Sequence, residues 1–200
     1  MYRGQTLGII GRNGSGKSTL LRTLAGILSP DKGTIENFGV SVSLMSLQLG
    51  FTDTLNGWDN AVMSGLILGM TRRQITRHLD EIAEFSDLGD FMDQPLGTYS
   101  SGMKVRLGFS VALFLDADVL LLDEVLSVGD AQFREKSATA LRDIMASDRT
   151  VVIVSHNPST IEQLCDRAIW IEKGATRMEG EVKRVLESYQ ECVLGHPGSH

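Results

Sequence analysis

The sequence has no long hydrophobic run. Its longest apolar stretches, such as Val119–Leu122 and Gly65–Met70, fall far short of the roughly 20 residues that a helix needs to cross a bilayer. We therefore expect any contact with a membrane to go through a partner. The sequence also lacks internal repeats, heptad arrays and low-complexity tracts, and this leaves an ordinary globular protein.

Basic residues are not in excess. The 200 residues include 19 Lys and Arg against 25 Asp and Glu, which gives a net charge of −6 at pH 7, and the basic residues are scattered along the chain. Nucleic-acid binding favours a basic stripe, so the composition predicts no nucleic-acid partner.

Cysteine is scarce as well. Cys165 and Cys192 have neither the spacing of metal ligands nor the pattern of a disulfide framework, and this fits a reducing compartment. The opening residues MYRGQT carry no secretion signal. We expect a cytosolic protein with one domain, or with one domain and an inserted subdomain.

Apolar residues follow strand and helix periods in turn. Thr6–Ile10 is a short apolar run that predicts a strand, and Lys17–Leu28 places four leucines on one helical face. Further strands are predicted near Val40–Leu44 and over Val119–Asp123, Thr150–Ser155 and Ala168–Glu172, with helices over Ala131–Met145 and near Thr160–Cys165. Alternating strands and helices indicate an α/β fold with a parallel sheet covered on both faces.

Residues 57–114 have a helical pattern instead. Thr71 and Gln74 can form a capping box, and apolar residues then recur at helical spacing, namely Ile75, Leu79, Ile82 and Ala83. We expect 57–114 to form a helical subdomain inserted into an α/β core made of residues 1–56 and 115–200.

The strongest motif is the loop Gly11–Ser18, called the phosphate loop below. It reads GRNGSGKS, and matches GxxxxGK[ST] in full between a predicted strand and a predicted helix. Glycines let backbone N–H groups turn towards an anion, and the following helix adds its positive end. Lys17 would reach the outer phosphates of a nucleotide, Ser18 would bind Mg²⁺ and Thr19 would contact an inner phosphate.

A plain glycine-rich turn before a helix is the alternative to a phosphate loop, but such a turn has no need of Lys-Ser at this offset. Arg12 and Asn13 can equally well be nucleotide contacts or solvated loop residues. The residues assigned to the nucleotide here are Gly11, Arg12, Asn13, Gly14, Ser15, Gly16, Lys17, Ser18 and Thr19.

Two carboxylates, Asp123 and Glu124, follow the apolar run Val119–Leu122. Ligands of parallel sheets gather at the carboxyl ends of strands, so both acids should lie near the phosphate loop. Successive strand residues point to opposite faces, so Asp123 can hold Mg²⁺ while Glu124 orients and polarises the attacking water. The alternative is a pair of ordinary acids where a strand meets solvent, which is our interpretation of Asp116 and Asp118.

Thr98–Lys104, which reads TYSSGMK before an apolar helix, resembles the signature of ABC-type ATPases. The family pattern is LSGGQ: Ser100 and Gly102 match it, whereas Tyr99 and Ser101 depart from it and Met103 replaces the glutamine. A serine and a glycine at a helix start can form an anion site. Taken alone, the stretch favours a plain helix cap.

The resemblance extends over nearly the whole chain. Ser127–Asp130 is similar to the family's D-loop, His156 to its switch histidine at the γ-phosphate, and Gln48 stands near its Q-loop glutamine, one residue short of the usual spacing. The resemblance implies ATP and Mg²⁺ as ligands. It implies catalytic roles for Lys17, Glu124 and His156, metal contacts from Ser18, Asp123 and Gln48, and nucleotide contacts from Gln48, Ser100, Ser101, Gly102, Met103 and Asp130.

Within that family, the stretches GRNGSGKSTLLR, TYSSGMKVRLGF and DEVLSVGDAQFREK are most similar to subunits that power export of bacterial capsule, O-antigen or teichoic acid. The resemblance implies a homodimer closing head to tail, with Ser100–Met103 of one copy completing the ATP site of the other. It also implies integral-membrane permease subunits that contact the chain near Gln48–Asn60. The protein would then be peripheral on the cytoplasmic face of the inner membrane.

The sequence departs from the family at both ends. Members carry an antiparallel β segment with an adenine-stacking aromatic residue before the phosphate loop, whereas ten residues precede Gly11 here, and Tyr2 is close to the loop. We therefore expect part of the sheet to be missing. The short stretch after Tyr189 favours an ATPase that does not itself read the sugar chain. Two alternatives stay open: a soluble ABC protein acting on DNA or the ribosome, and a nucleotide-binding module without turnover.

Overall fold

In the computed structural model of the chain, residues 2–123 and 130–194 are described. They group into two units. The first contains the described residues of 1–44, 118–124 and 145–200, and the second contains those of 45–117 and 125–144. The sequence-based bounds of a helical subdomain, 57–114, stay a prediction.

A six-stranded sheet organises the first unit. Its strands are β1 (Thr6–Ile10), β2 (Val42–Met45), β3 (Val119–Asp123), β4 (Thr150–Ser155), β5 (Arg167–Glu172) and β6 (Ala175–Glu181), in the spatial order β2-β3-β4-β1-β5-β6. β1 lies parallel to both β4 and β5, β3 lies parallel to β4, and β6 runs antiparallel to β5. The α/β class with a mainly parallel sheet, predicted from the sequence, is confirmed.

Eight α-helices are described. They are α1 (Lys17–Leu24), α2 (Gly57–Ile67), α3 (Arg72–Arg77), α4 (Leu79–Ser86), α5 (Ser101–Leu113), α6 (Ala131–Met145), α7 (Pro158–Leu164) and α8 (Val182–Leu194). Two 3₁₀ turns, Gly89–Asp93 and Leu96–Thr98, precede α5. No helix among residues 2–123 and 130–194 is long and apolar enough to cross a bilayer.

Both faces of the sheet are covered within the first unit. Ile9 and Leu21 belong to a buried apolar cluster that joins α1 to the strands. On the opposite face Gly8 leaves room for α7, since a Cβ there would lie 2.6 Å from Ile161 Cγ2 and 2.9 Å from Cys165 Sγ. Burial raises the pKa of the Cys165 thiol to about 12. Buried strands flanked on both sides explain the near-continuous apolar runs of β1, β3 and β4.

Helix α1 is shorter than its leucine pattern predicts. The sequence predicted a helix to Leu28, and that end is wrong because Gly26 adopts the left-handed region at φ 73°. The Gly26 N–H donates to Thr23 O at 3.1 Å and the Ile27 N–H donates to Arg22 O at 2.9 Å, which is the bonding of a Schellman cap. Leucine spacing marked the apolar face, but the glycine ended the helix.

Residues 26–41 are exposed throughout, with Phe38 86% exposed. The segment is anchored where it reaches β2: the Ser41 N–H and hydroxyl both donate to Asp118 Oδ2, at 2.8 and 2.7 Å, and the Asp118 N–H donates to Ser41 Oγ at 2.9 Å. The hydrogen bonds from Ser41 lower the pKa of the Asp118 carboxyl. Asp118 therefore holds the edge of the sheet, a role that the sequence did not indicate.

The second unit is helical, apart from Met45 of β2. The predicted capping box is confirmed, since Thr71 Oγ1 accepts from the Gln74 N–H and Gln74 Oε1 accepts from the Thr71 N–H. Phe85, Phe109 and Phe133 pack ring against ring, with centroids 5.7 to 6.1 Å apart. This cluster joins α4, α5 and α6 into one packed body.

Candidate nucleotide-binding site

The phosphate loop connects the end of β1 to the start of α1. A Cβ at Gly11 would overlap Ile171 O, and would lie 2.6 Å from Ser15 Oγ, so the loop can leave the sheet only through a glycine. Gly14 and Gly16 have φ of 77° and 101°, in the region where other residues are strained. These positions explain why the glycines stand where the motif places them.

Lys17 is the first residue of α1 and is only 6% exposed. Its Nζ donates to Gly11 O at 2.9 Å and to Arg12 O at 3.0 Å, so the ammonium lies across the loop. A buried cation at the positive end of a helix favours a bound anion.

A cleft of about 570 Å³ opens beside the loop, and we call it the nucleotide cleft. It is lined by Asn13, Gly14, Gly16, Lys17, Ser18, Thr19 and Asp123. The structure therefore brings most of the predicted phosphate contacts together with the aspartate at the end of β3. The Ser18 hydroxyl and the Asp123 carboxylate are hard oxygen ligands, which together with phosphate oxygens suit Mg²⁺.

Asp123 reaches the cleft through the order of the strands. β3 pairs with β4 and β4 pairs with β1, all in parallel, so the carboxyl ends of all three strands lie at one edge of the sheet. Asp123 is half-buried, opposite Val154. Glu124, to which the sequence assigns the attacking water, lies outside the described residues.

His156 stands at the same edge of the sheet. It follows β4, whose last residue Ser155 is paired with Ile10 at the end of β1. The side chain is exposed, and Asn157 caps the next helix by accepting a hydrogen bond from the Ser159 N–H at 3.0 Å. The structure places His156 next to the phosphate loop along the sheet, but not among the described residues that line the cleft.

Gln48 lies in the second unit, in a tight turn. Its φ of 67° is left-handed, a conformation that costs a non-glycine residue roughly 1–2 kcal/mol. Helix α5 approaches this turn closely, because a Cβ at Gly108 would lie 2.8 Å from Gln48 N. The stretch of chain after this turn is held by Asn60, which is fully buried. Its Oδ1 accepts from the Thr52 N–H, and its Nδ2 donates to the carbonyls of Thr52, Leu55 and Asn56.

Ser100–Met103, called the signature segment below, starts α5 in the second unit. Ser100 Oγ accepts from the Met103 N–H at 3.2 Å, so it caps the helix. Ser100 and Ser101 are exposed, and Gly102 and Met103 are partly so. Tyr99, which departs from the family pattern, is buried and donates its hydroxyl hydrogen to Phe91 O.

Asp130 caps α6 by accepting from the Phe133 N–H at 2.8 Å. The rest of the stretch that resembles the D-loop, residues 127–129, lies outside the described residues. Gln48, the signature segment and Asp130 thus belong to the second unit, whereas the nucleotide cleft belongs to the first.

The residues that support the phosphate loop from behind were not predicted from the sequence. The Gly174 N–H, in the turn between β5 and β6, donates to Ser15 O at 3.0 Å. A cavity of about 230 Å³ adjoins the loop there, and its walls include Arg12, Trp170 and Tyr189. A glycine at position 174 was the sequence signal that could have predicted a tight turn here, and in the structure its φ is 78°.

A strand, a glycine-rich loop and a helix that set Lys17 and Ser18 beside a strand-end aspartate define a P-loop nucleotide-binding domain. The sequence model of the family described as "ABC transporter" matches residues 1–127. The chain belongs to the ABC transporter family, as the motifs predicted.

Curated relatives are similar over nearly the whole chain. RfbB of Myxococcus xanthus, an O-antigen export system ATP-binding protein, is 44% identical over 191 residues, which are 96% of this chain and 44% of that protein. RfbB of Klebsiella pneumoniae, described in the same words, is 41% identical over 96% of this chain and 78% of that protein. TagH of Enterococcus faecalis, a teichoic acids export ATP-binding protein, is 43% identical over 95% of this chain and 42% of that protein. The chain spans less than half the length of two of these three relatives.

Solved structures have the same fold. An ATP-binding subunit of an ABC transporter matches with a TM-score of 0.80 at 18% identity, covering 94% of this chain and 83% of that one. A dimeric ATP-binding cassette in a post-hydrolysis state, bound to ADP and Pi, matches with a TM-score of 0.73 at 19% identity, covering 91% and 87%. These matches confirm the ABC ATPase fold.

Proposed function

We propose that the chain binds and hydrolyses Mg²⁺-ATP, and that this hydrolysis powers export of a cell-surface polysaccharide or lipid-linked polysaccharide across the cytoplasmic membrane. The observation that carries the proposal is the nucleotide cleft, where a buried Lys17, the Ser18 hydroxyl and the Asp123 carboxylate come together. Similarity to ATP-binding proteins of O-antigen and teichoic acid export supports the transport role.

Each residue of the site has a distinct task in this proposal. Backbone N–H groups of the phosphate loop and the start of α1 bind the phosphates, and Lys17 neutralises the outer ones. Ser18 and Asp123, with Gln48 as a further metal contact, would hold Mg²⁺, which would supply positive charge to neutralise the phosphates. Glu124 orients the attacking water and accepts its proton, while His156 contacts the γ-phosphate.

A second copy of the chain completes the site. The signature segment of one copy faces the nucleotide of the other, and the backbone N–H groups in the first turn of α5 stabilise phosphate there. Support comes from the exposure of Ser100 and Ser101 at that helix start. Asp130 of the second copy meets the same nucleotide.

The permease partner is proposed to dock on an apolar patch of the second unit, formed by Leu49, Met63, Leu66 and Ile67. These side chains are 39 to 50% exposed. Met63, Leu66 and Ile67 share one face of α2, and a Cβ at Gly50 would overlap Ile67 Cδ1, which places the turn after Leu49 against that face. Exposed apolar clusters of this kind mark protein–protein interfaces. Docking there would hold the protein at the cytoplasmic face of the membrane.

The patch can be tested by charge insertion. Leu66→Glu is expected to reduce recovery of the chain with the co-expressed permease of its own export system by more than about tenfold, because a carboxylate would be buried at the interface. ATP hydrolysis by the isolated chain should be unchanged. Ile35→Glu is the matched control, since Ile35 is similarly exposed, at 46%, but lies in the first unit. Equal recovery of both variants would remove the patch from the interface.

The export function has its own test in cells. Deleting the gene in its host is expected to remove a polysaccharide from the cell surface and to leave the polymer inside the cell. The wild-type gene should restore surface display, and a Lys17→Ala gene should not. Unchanged surface polysaccharide in the deletion strain, together with Lys17-dependent ATPase activity in vitro, would favour a soluble ABC ATPase with another task.

A further inference from the structure

Arg106 connects three helices of the second unit. It lies on α5, beyond the signature segment, and its side chain is only 20% exposed. Nη2 donates to Asp87 O at 3.1 Å, at the end of α4. Nη1 lies 3.9 Å from Oδ2 of Asp87 and 3.9 Å from Oδ2 of Asp130, the residue that caps α6.

The two oxygens of Asp130 serve different helices. Oδ1 accepts from the Phe133 N–H at 2.8 Å and so caps α6, while Oδ2 faces the guanidinium of Arg106. The carboxylate therefore ties the first turn of α6 to the middle of α5. A planar guanidinium can engage a carbonyl and two carboxylates at once, which the point charge of a lysine cannot.

Lys136 provides a comparison at the same place. Its Nζ donates to Phe85 O at 2.9 Å and lies 4.6 Å from the centroid of the Phe85 ring. Lys136 and Arg106 both place positive charge at the carboxyl end of α4, where the helix dipole favours a cation. Arg106 faces Asp130 in addition.

We propose that Arg106 is a positioning residue for ATP hydrolysis: it keeps Asp130 and the start of α6 in register with the signature segment. The inference rests on the proposed two-chain ATP site, in which the signature segment and Asp130 of one copy meet the nucleotide of the other. The ion pair between Arg106 and Asp130 then holds both nucleotide contacts, the signature segment and Asp130, in fixed relative positions, so they reach the nucleotide together. Arg106 itself does not touch the nucleotide.

The test compares neutral variants of the two cations in the full chain. Arg106→Gln is expected to lower kcat by about tenfold, because a misplaced group in the site slows the reaction steeply. KM for ATP should change by less than about twofold, since each nucleotide is bound mainly by the phosphate loop of the other copy. Lys136→Gln, the matched control, should keep kcat within about twofold of wild type. The kcat of Arg106→Lys should lie between those of the wild type and Arg106→Gln, since an ammonium can replace only part of the contacts of the guanidinium.

A double-mutant cycle separates positioning from stability. If Arg106 acts through Asp130, the kcat of Arg106→Gln combined with Asp130→Asn should fall no further than that of the worse single variant. Additive losses would overturn the inference, as would a loss in Lys136→Gln equal to that in Arg106→Gln, or losses that follow the melting temperature of each variant.

ATP hydrolysis by the wild-type chain distinguishes failure of the proposed function from failure of the inference about Arg106. If it shows no Lys17-dependent hydrolysis, the proposed function fails and this inference fails with it. If wild-type hydrolysis depends on Lys17 while Arg106→Gln keeps the wild-type kcat, the inference alone is refuted.

Discussion

Glu124→Gln is expected to slow ATP hydrolysis by about 10²–10⁴-fold, the range for loss of a general base. ATP binding should persist, because the amide keeps the size of the side chain and the phosphate contacts come from other residues. The sequence assigns the attacking water to Glu124 because it directly follows Asp123, which ends β3 and lines the nucleotide cleft. Steady-state phosphate release, together with equilibrium binding of a fluorescent ATP analogue, measures both quantities.

Glu162→Gln is the control for loss of one negative charge, because Glu162 is an exposed residue of α7. Its turnover should match that of the wild type. Wild-type turnover in the Glu124→Gln protein would remove Glu124 from the role of base.

Lys17→Ala is expected to lower the rate of hydrolysis by about 10²–10³-fold, by analogy with loss of one preorganised charge-stabilising donor. Lys17 is buried and holds two carbonyls of its own loop, Gly11 O and Arg12 O. Its removal therefore takes a cation from the phosphates and leaves the loop less ordered, so weaker nucleotide binding should accompany the slower rate. Phosphate release measured over a range of ATP concentrations separates the two effects.

The matched control for Lys17 is Lys32→Ala, at an exposed lysine in the same unit. It should hydrolyse ATP at the wild-type rate. An active Lys17→Ala protein would overturn the assignment of the site, and a lower melting temperature in that variant would show how far the loop depends on the ammonium.

The sequence predicted several strands and helices because their signals are local. Strands β3 and β4 and helix α6 have the predicted bounds, since buried parallel strands are continuous apolar runs and a helix carries a visible period. β6 and α8 were missed. Strand β6, which reads ATRMEGE, is largely exposed at the edge of the sheet, so its sequence lacks the apolar pattern of a buried strand.

The candidate site was predictable only in part, for a related reason. The phosphate loop is contiguous, and its glycines stand where the backbone requires them, so its pattern is readable in one dimension. Arg106 has no such signal: a lone arginine on a helix is common, and its partners Asp87 and Asp130 are distant in sequence. Contacts between separate segments become visible only when the segments are packed.

The P-loop, its Lys-Ser pair and membership of the family can be read from the sequence alone, because these depend on residues a few positions apart. Which distant groups meet them depends on how the strands and helices pack. The strand order β3-β4-β1 brings Asp123 to Ser18, and the packing of α4, α5 and α6 brings Arg106 to Asp130. The physical reason is that backbone conformation is set by local sterics and hydrogen bonding, whereas burial of apolar faces sets which elements become neighbours.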